Sequence, residues 1–398
     1  MSLADLSDPI VIASYARTPI GSLQGALGGL KASVLGAAAI QAAVARAGLA
    51  RESVDQVVMG CVLPAGQGQA PARQAALGAG LPNSVAAVTV NKMCGSGMQS
   101  VIQATDALIA GSADMIVAGG MESMTNAPYL LQKHRAGMRM GHDVVQDSMF
   151  LDGLEDAYQT GKLMGVFADE IARDYQMTRG AQDDYAIRSL TRAKEAIAGG
   201  AFKREIAPVT IEGKGGSIIV DTDEAPGRAK PEKIRELKPA FAKDGTVTAA
   251  NASSISDGAA ALVITRQSSA RKNKLPIVAK IVATAVHAHA PALFGTAPVP
   301  AMKKVLAKAG WSVGDVDLFE VNEAFAVVAM IAASELQIPD DKLNVNGGAC
   351  ALGHPIGASG ARILATLLAA LENRTLKRGV ASLCIGGGEA TAVALELV

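Results

Sequence analysis

The chain has 398 residues, 49% of them hydrophobic and 19% charged, a balance that excludes disorder and predicts at least two globular domains. Lys+Arg and Asp+Glu number 37 each, so no net field draws the molecule to nucleic acid or to a membrane surface. Four cysteines (Cys61, Cys94, Cys350 and Cys384) with no C-x-x-C pair make neither a disulfide framework nor a zinc pattern, and point to a reducing compartment.

Met1-Ser2-Leu3-Ala4-Asp5 lacks the basic and apolar regions of a secretory leader, and glycines and charges interrupt every apolar run before membrane-spanning length. A cytoplasmic protein is expected. The first informative pattern along the chain is Ala45-Arg46-Ala47-Gly48-Leu49 followed by Val54-Asp55-Gln56-Val57, a helix end leading to a strand. A strand-like run at 85–90 precedes Asn91-Lys92-Met93-Cys94-Gly95-Ser96-Gly97-Met98, and a helical run at 98–110 follows it. That order sets Cys94 at a helix N-terminus, where orphan N–H groups and the positive dipole end favour a thiolate. A buried structural cysteine fits the position equally well. A short apolar strand then ends in Ala118-Gly119-Gly120.

Residues 121–249 are more polar, with loops expected at 213–216 and 221–227, and read as a lid or substrate-binding insertion. Beyond them the first pattern returns. Ala307-Lys308-Ala309-Gly310-Trp311 and Val316-Asp317-Leu318-Phe319 repeat the helix end and strand. Val345-Asn346 and Ser359-Gly360 echo Val90-Asn91 and Ser96-Gly97, and Cys384-Ile385-Gly386-Gly387-Gly388-Glu389 closes a strand as Gly119-Gly120 does. Two copies of one α/β unit with mostly parallel, buried sheets are expected. His354, in a Gly/Pro loop, falls near the position equivalent to Cys94, so a pseudo-twofold would bring both to one place. The other four histidines sit in surface-like or structural contexts. Cys384, at a strand end beside bare glycine amides, suits a proton carrier next to an oxyanion site. Asn322, in Glu320-Val321-Asn322-Glu323-Ala324-Phe325, could hold a water or carbonyl, or could cap a helix. Glu323 could orient a neighbour.

Cys-Gly-Ser-Gly, Asn-Glu-Ala-Phe, Gly-His-Pro-Ile-Gly-Ala-Ser-Gly and Cys-Ile-Gly-Gly-Gly occur here in the order found in thiolases. The chain resembles that family over nearly its whole length, including Ala16-Arg17-Thr18-Pro19-Ile20-Gly21 and Gly119-Gly120-Met121-Glu122-Ser123-Met124. Within the family it looks most like acetoacetyl-CoA thiolases. The resemblance implies an α/β thiolase fold, with two related halves stacked as five αβαβα layers. Residues 1–120, completed by about 250–272, would form the N-terminal half, 121–249 the inserted loop domain, and 273–398 the C-terminal half. It further implies that Cys94 holds the acyl group and His354 activates it, while Asn322 holds a water. Cys384 would move the α-proton, and the N–H groups of Cys94 and Gly386 would form the oxyanion hole. Ser253, Leu163, Met164, Phe294, Ala249 and Phe325 would contact CoA or the acyl group.

By the same resemblance no cofactor is required, coenzyme A being substrate and product. A homotetramer is implied, with residues 125–145 as the arm between dimers. A potassium site near Tyr185, Ala249, Ala250, Ala252 and Cys350 is also implied, although Tyr185 reads more simply as an ordinary helix residue. Three positions depart from common family patterns. Leu163 stands where many short-chain members have histidine, Phe294 where many bacterial members have methionine, and Glu389 where methionine or glutamine is common. Condensation of two acetyl-CoA to acetoacetyl-CoA, or its reverse, is the leading expectation. The alternatives are a thiolase of fatty-acid degradation with broader chain length, a decarboxylating condensing enzyme, and a catalytically silent acyl-CoA- or lipid-binding protein.

Overall fold

The computed structural model describes Leu3 and residues 6–213 and 215–398. Residues 1, 2, 4 and 5, part of the stretch read for a leader, and Lys214, inside the loop expected at 213–216, lie outside the described residues.

The first half contains strand β1 (Ile10–Arg17), helix α1 (Ala32–Ala47), β2 (Gln56–Gly60), α2 (Pro71–Gly78), β3 (Ala86–Val90), α3 (Ser96–Ala110) and β4 (Met115–Ser123). The intervening segment carries α4 (Met164–Asp174), α5 (Arg179–Ala198) and a hairpin of Val209–Gly213 with Gly216–Val220. The expected loop at 221–227 is partly helical, since Glu224–Arg228 forms a short helix. Arg17 explains the order there: its guanidinium pairs with Asp223, which precedes that helix, and with Glu205, all three buried. Next come β5 (Ser256–Arg266), β6 (Ala279–Ala288), α6 (Pro298–Ala309), β7 (Leu318–Val321), α7 (Ala326–Leu336), α8 (Ser359–Arg374), β8 (Arg378–Ile385) and β9 (Glu389–Leu397). The repeat is visible in the helix ends: α1 stops at Gly48 (φ +63°) and α6 at Gly310 (φ +70°), both left-handed caps that glycine adopts without strain.

Hydrogen bonds join the strands in the order β7-β8-β9-β6-β1-β5-β4-β2-β3, with Gly21–Ser22 added beside β5. The two halves meet at β1 and β6, through Val11 opposite Lys280 and Ile12 opposite Ala279. Only β2 with β3, β2 with β4 and β7 with β8 are parallel; every other pairing in this sheet is antiparallel. The expectation of mostly parallel strands is therefore corrected. A strand buried on both faces is apolar throughout in either arrangement, so its sequence carries no sign of direction.

Successive residues of each strand serve two cores. Val117, Ala261 and Val263 pack outward with Leu35 and Ile40 of α1, whereas Ile116, Leu262 and Ile264 pack inward. In the second half Ala392 and Ala394 face Val305 of α6 and Val327 of α7, whereas Leu383, Val393 and Leu395 face inward. The inward residues of both halves share one cluster with Met98 and Val101 of α3 and Leu364 and Leu367 of α8. Helices α3 and α8 are thus the middle layer between two sheet halves, with α1 and α2 outside one and α6 and α7 outside the other. This gives the five-layer α/β arrangement.

The central helices approach glycine to glycine. A Cβ on Gly97 would lie 2.8 Å from the Ala361 nitrogen and 3.0 Å from the Gly357 oxygen, and one on Gly360 would strike the Met98 backbone. The repeated Ser-Gly pairs therefore mark a close backbone contact of the two halves, at the N-terminal ends of both helices. Both candidate catalytic loops, around Cys94 and His354, lead into that contact.

Candidate active site

A cavity of about 860 Å³ opens where the halves and the insertion meet. Its walls bring together Cys94, His354, Cys384 and Gly386 with Leu163, Met164, Ala249, Ser253, Phe294 and Phe325. Asn322 is not part of the wall.

Cys94 sits in a tight turn between β3 and α3. Met93 takes φ +45°, a strained value for a side-chain-bearing residue, and three short bonds hold it there. Asn91 Oδ1 accepts from the Met93 N–H at 3.0 Å, and Ser96 Oγ accepts from the Lys92 N–H at 2.8 Å while donating to the Met93 carbonyl at 2.6 Å. The backbone N–H groups of Gly386 and of Cys94 itself are directed at the Cys94 sulfur. Burial pushes the thiol up from its ordinary value more than those two donors pull it down. The resting group is therefore a thiol. The helix N-terminus does not win by itself, because a thiolate loses more hydration in this enclosed turn than the amides return.

His354 follows a helical turn at Ala349–Leu352 and is anchored by its N–H to the Ser254 carbonyl at 3.0 Å. Its Nδ1 is 2.5 Å from Ser359 Oγ, and that hydroxyl donates its proton to the Pro355 carbonyl at 2.9 Å. The hydroxyl is thereby left as an acceptor, which assigns the ring proton to Nδ1 and the lone pair to Nε2. Nε2 is buried and has no protein partner among the described residues. Burial and the nearby Arg362 guanidinium depress the imidazole to about 3, so at neutral pH it is uncharged and able to take a proton.

Cys384 ends β8, fully buried, and the turn beyond it needs left-handed backbone at Gly387 (φ +94°) and Gly388 (φ +86°). Its thiol is pushed well up, first by burial and then by the charge Cys94 would carry, so the two sulfurs feel each other. Asn322, just past β7, is buried. Its Oδ1 accepts from Arg362 Nη2 at 3.1 Å, and its Nδ2 has no protein partner among the described residues. The helix-cap reading of Asn322 is set aside, since α7 begins at Ala326.

Glu323 is fully buried and accepts from Tyr185 Oη (3.0 Å), Ser189 Oγ (2.7 Å), Asn344 Nδ2 (2.9 Å) and the Cys350 N–H (3.1 Å). It ties α5 of the insertion to the second half. Tyr185 is thus more than an ordinary helix residue, but its hydroxyl is already engaged by Glu323 and by Asn344 at 3.2 Å. The Cys350 sulfur turns to the Asn251 carbonyl at 3.5 Å.

On the acyl side, Phe325 meets Phe241 and Phe294 edge-on at centroid separations of 6.0 and 6.1 Å. Leu163 caps α4, and Met164 leans toward Gly386, its sulfur 3.8 Å from where a Cβ on that glycine would lie. Ser253 is held by the Ala324 carbonyl, which accepts from its N–H at 2.9 Å and its Oγ at 3.0 Å. Three neighbours were not singled out from sequence: Ser359, Arg362 and Phe241. Arg362 left a signal, a charge inside the apolar run Ala361-Arg362-Ile363-Leu364. Ser359 was marked only as half of a repeated Ser-Gly pair, with no sign of its bond to His354, and Phe241 left none.

Residues 10–268 match the family described as "Thiolase, N-terminal domain", and residues 275–397 match "Thiolase, C-terminal domain". The chain is 48% identical over 393 residues to an acetyl-CoA acetyltransferase of Thiocystis violacea, covering 98% of this chain and 100% of that protein. It is 50% identical over 392 residues to acetyl-CoA acetyltransferase 2 of Arabidopsis thaliana, covering 98% and 97%. The crystal structure of the Bacillus anthracis acetyl-CoA acetyltransferase superposes with a TM-score of 0.95 at 40% identity, covering 98% of this chain and 99% of that one. The chain belongs to the thiolase family.

Proposed function

We propose that the protein interconverts two molecules of acetyl-CoA with acetoacetyl-CoA and coenzyme A through an acetyl group carried on Cys94. The observation that carries this reading is the meeting in one cavity of a partly buried thiol, a neutral histidine whose Nε2 has no partner among the described residues, a second thiol and a convergent pair of backbone N–H groups.

In the first half-reaction His354 Nε2 takes the Cys94 proton as the sulfur attacks the thioester carbon. The carbonyl oxygen acquires its charge beside the N–H groups of Cys94 and Gly386, a pair of the kind whose individual loss costs about 3–4 kcal/mol of barrier. Coenzyme A leaves as the thiol, carrying the proton from His354. In the second, Cys384 first gives its own proton to solvent, and its thiolate takes one from the methyl group of another acetyl-CoA, whose thioester oxygen is held by His354 and by a water on Asn322 Nδ2. The carbanion attacks the acetyl carbon, and the proton passes from Cys384 to the departing Cys94 sulfur. Cys384 is held up in part by the charge Cys94 would carry. An acetylated Cys94 cannot carry that charge, so Cys384 gives up its own proton more readily once the first half-reaction is complete.

Phe241, Phe294 and Phe325 narrow the acyl end and favour a short acyl group over the longer chains of a degradative thiolase. Ser253, Ala249 and residues 163–165 of the insertion would line the pantetheine path. The exposed apolar side chains Tyr129, Leu131, Met138, Met140, Val144 and Val145 support an oligomer in which residues 125–145 pack against another copy. Potassium takes no part in this proposal. Among the described residues no helix is long and apolar enough to cross a membrane.

The test is thiolysis of 3-ketoacyl-CoA substrates of increasing chain length, followed as loss of enolate absorbance. Activity with acetoacetyl-CoA that falls steeply by six carbons supports the proposal. Activity that rises with chain length rejects the short-chain assignment, and no activity with any substrate rejects the catalytic reading.

A further inference from the structure

Glu122, in β4, is wholly buried, takes no step in the mechanism above, and lies where the two halves touch. Its carboxylate accepts four hydrogen bonds. Oε2 takes the N–H of Val62 and the N–H of Gly357, each at 2.9 Å; Oε1 takes the N–H of Leu63 at 3.2 Å and the Cys61 thiol at 3.5 Å. All four donors are neutral, so nothing in that set cancels its charge. Two segments meet on this one group. Val62 belongs to the cavity wall and comes from the first half, whereas Gly357 comes from the second half, three residues beyond His354. The fit has no slack: a Cβ on Gly357 would lie 2.6 Å from Glu122 Oε2 and 3.0 Å from the Cys61 Cα.

We propose that Glu122 is a positioning residue for this reaction, fastening the His354 loop to the Cys61-Val62-Leu63 segment and placing a carboxylate where its charge acts on Cys94. The proposal rests on the thiolase reading of the site. Burial pushes the carboxyl up to about 7 against the pull of its four donors, so it is divided between acid and anion at neutral pH and becomes an anion above it. Cys94 feels that anion, which raises its thiol further. The titratable groups on the surrounding elements are Cys61, bonded to the carboxylate; Cys94; His354, on the fastened loop; and Asp257, on β5, which is turned to the Thr125 hydroxyl and N–H. A charge of this sign discourages a standing thiolate. Cys94 then becomes nucleophilic mainly when His354 takes its proton, and it resists alkylation and oxidation between turnovers.

The experiment compares the unsubstituted enzyme with Glu122→Gln and Glu122→Asp in two assays. One is the pH profile of Cys94 alkylation by iodoacetamide, read by mass spectrometry of the Cys94 peptide. The other is acetoacetyl-CoA thiolysis, read as kcat and KM. Glutamine keeps the shape, removes the charge and leaves two N–H donors facing an amide nitrogen. It is expected to move the alkylation midpoint to lower pH by about half a unit or more, and to lower kcat about tenfold with KM for CoA within about twofold. Aspartate keeps the charge but is one methylene short, so its midpoint stays near that of the unsubstituted enzyme while kcat falls. If Glu122→Gln does not fold, the aspartate variant alone decides, an unchanged kcat counting against the proposal. An unmoved alkylation midpoint in Glu122→Gln overturns the electrostatic role, and an unchanged kcat overturns the positioning role. Failure of the thiolase reading shows separately, as absence of thiolysis by the unsubstituted enzyme, and leaves the alkylation comparison intact.

Discussion

Lys92 and Glu389 form an ion pair that spans the two halves of the chain, from two residues before Cys94 to three residues after Gly386. The acidic partner is one of the positions at which the sequence departs from the common family pattern. Its basic partner stands on the nucleophile turn, so the pair braces the sulfur against the turn that carries the Gly386 N–H. Both side chains are partly solvated, at 23% and 33% exposure, so the energy is modest, about 0.5–1 kcal/mol. We expect Lys92→Glu or Glu389→Lys alone to lower kcat about two- to fivefold. The double exchange should restore most of the loss, because it rebuilds the pair in reverse. Steady-state kinetics at low and high salt checks this. If the double variant is no better than the single ones, the brace has no catalytic effect.

Cys94→Ala is expected to reduce turnover by about ten-thousand-fold or more, with no covalent acetyl enzyme. Cys384→Ala should still take up one acetyl group on Cys94 from acetyl-CoA and then fail to condense it. Intact-protein mass spectrometry after mixing with acetyl-CoA separates the two. An unacetylated Cys384→Ala protein would mean that the sulfurs do not divide the work as described.

Ser359 is the only partner of His354 Nδ1 among the hydrogen bonds described. Its replacement by alanine leaves a buried ring N–H unpaired, which typically costs about 1–3 kcal/mol, and frees the imidazole to adopt the other tautomer. The expected result is a kcat about ten- to a hundredfold lower with little change in KM, and substantial recovery in Ser359→Thr, which returns the hydroxyl. The pH dependence of kcat/KM is the informative readout, since a purely structural defect would scale the profile without moving it.

Two buried groups give stability opposite slopes in overlapping pH windows, about 3–6.5 for His354 and about 4.5–8 for Glu320. An unfolded His354 binds a proton below about pH 6.5, but the folded one remains neutral to about 3, so acidification through that window favours unfolding. Burial raises Glu320 to about 8, and the Arg362 charge only partly offsets it. The folded protein therefore keeps a proton that the unfolded chain gives up above pH 4.5, and stability is lost as pH rises from about 4.5 through 8. Urea unfolding at pH 5, 7 and 9 should show His354→Asn removing a contribution that rises between pH 5 and 7, and Glu320→Gln removing one that falls from pH 5 through 8, each by about 1–3 kcal/mol. If neither substitution changes the slope within its own window, the assigned protonation states are wrong.

What could be read from the residues alone was whatever repeats or carries an unusual residue type. The two Ser-Gly pairs, the left-handed glycines Gly48 and Gly310, the two thiols and the loop histidine all leave marks in the order of letters. Strand direction left none, because Leu262 and Ile264 must be apolar whether their neighbours run parallel or antiparallel. The protonation of Cys94 was also hidden. The helix N-terminus is visible in sequence, whereas the enclosure that outweighs it depends on distant segments. Glu122 lay in a motif that was noticed for its glycines. Three of its four partners are backbone N–H groups, which any residue except proline could supply, so no spelling of the chain could announce them.

The glycine contact between α3 and α8 has a consequence for how the two half-reactions share one site. With Gly97 and Gly360 against each other's backbones, the floor cannot rock or widen without losing the packing that defines it. Cys94, His354 and Cys384 must then hold one spacing while two chemically different steps occur among them. Adjustment falls to the reactants: the second acetyl-CoA has to take the berth the first coenzyme A has left. A protein built this way should release coenzyme A before it accepts another thioester, so that product and second substrate compete for a single parking place.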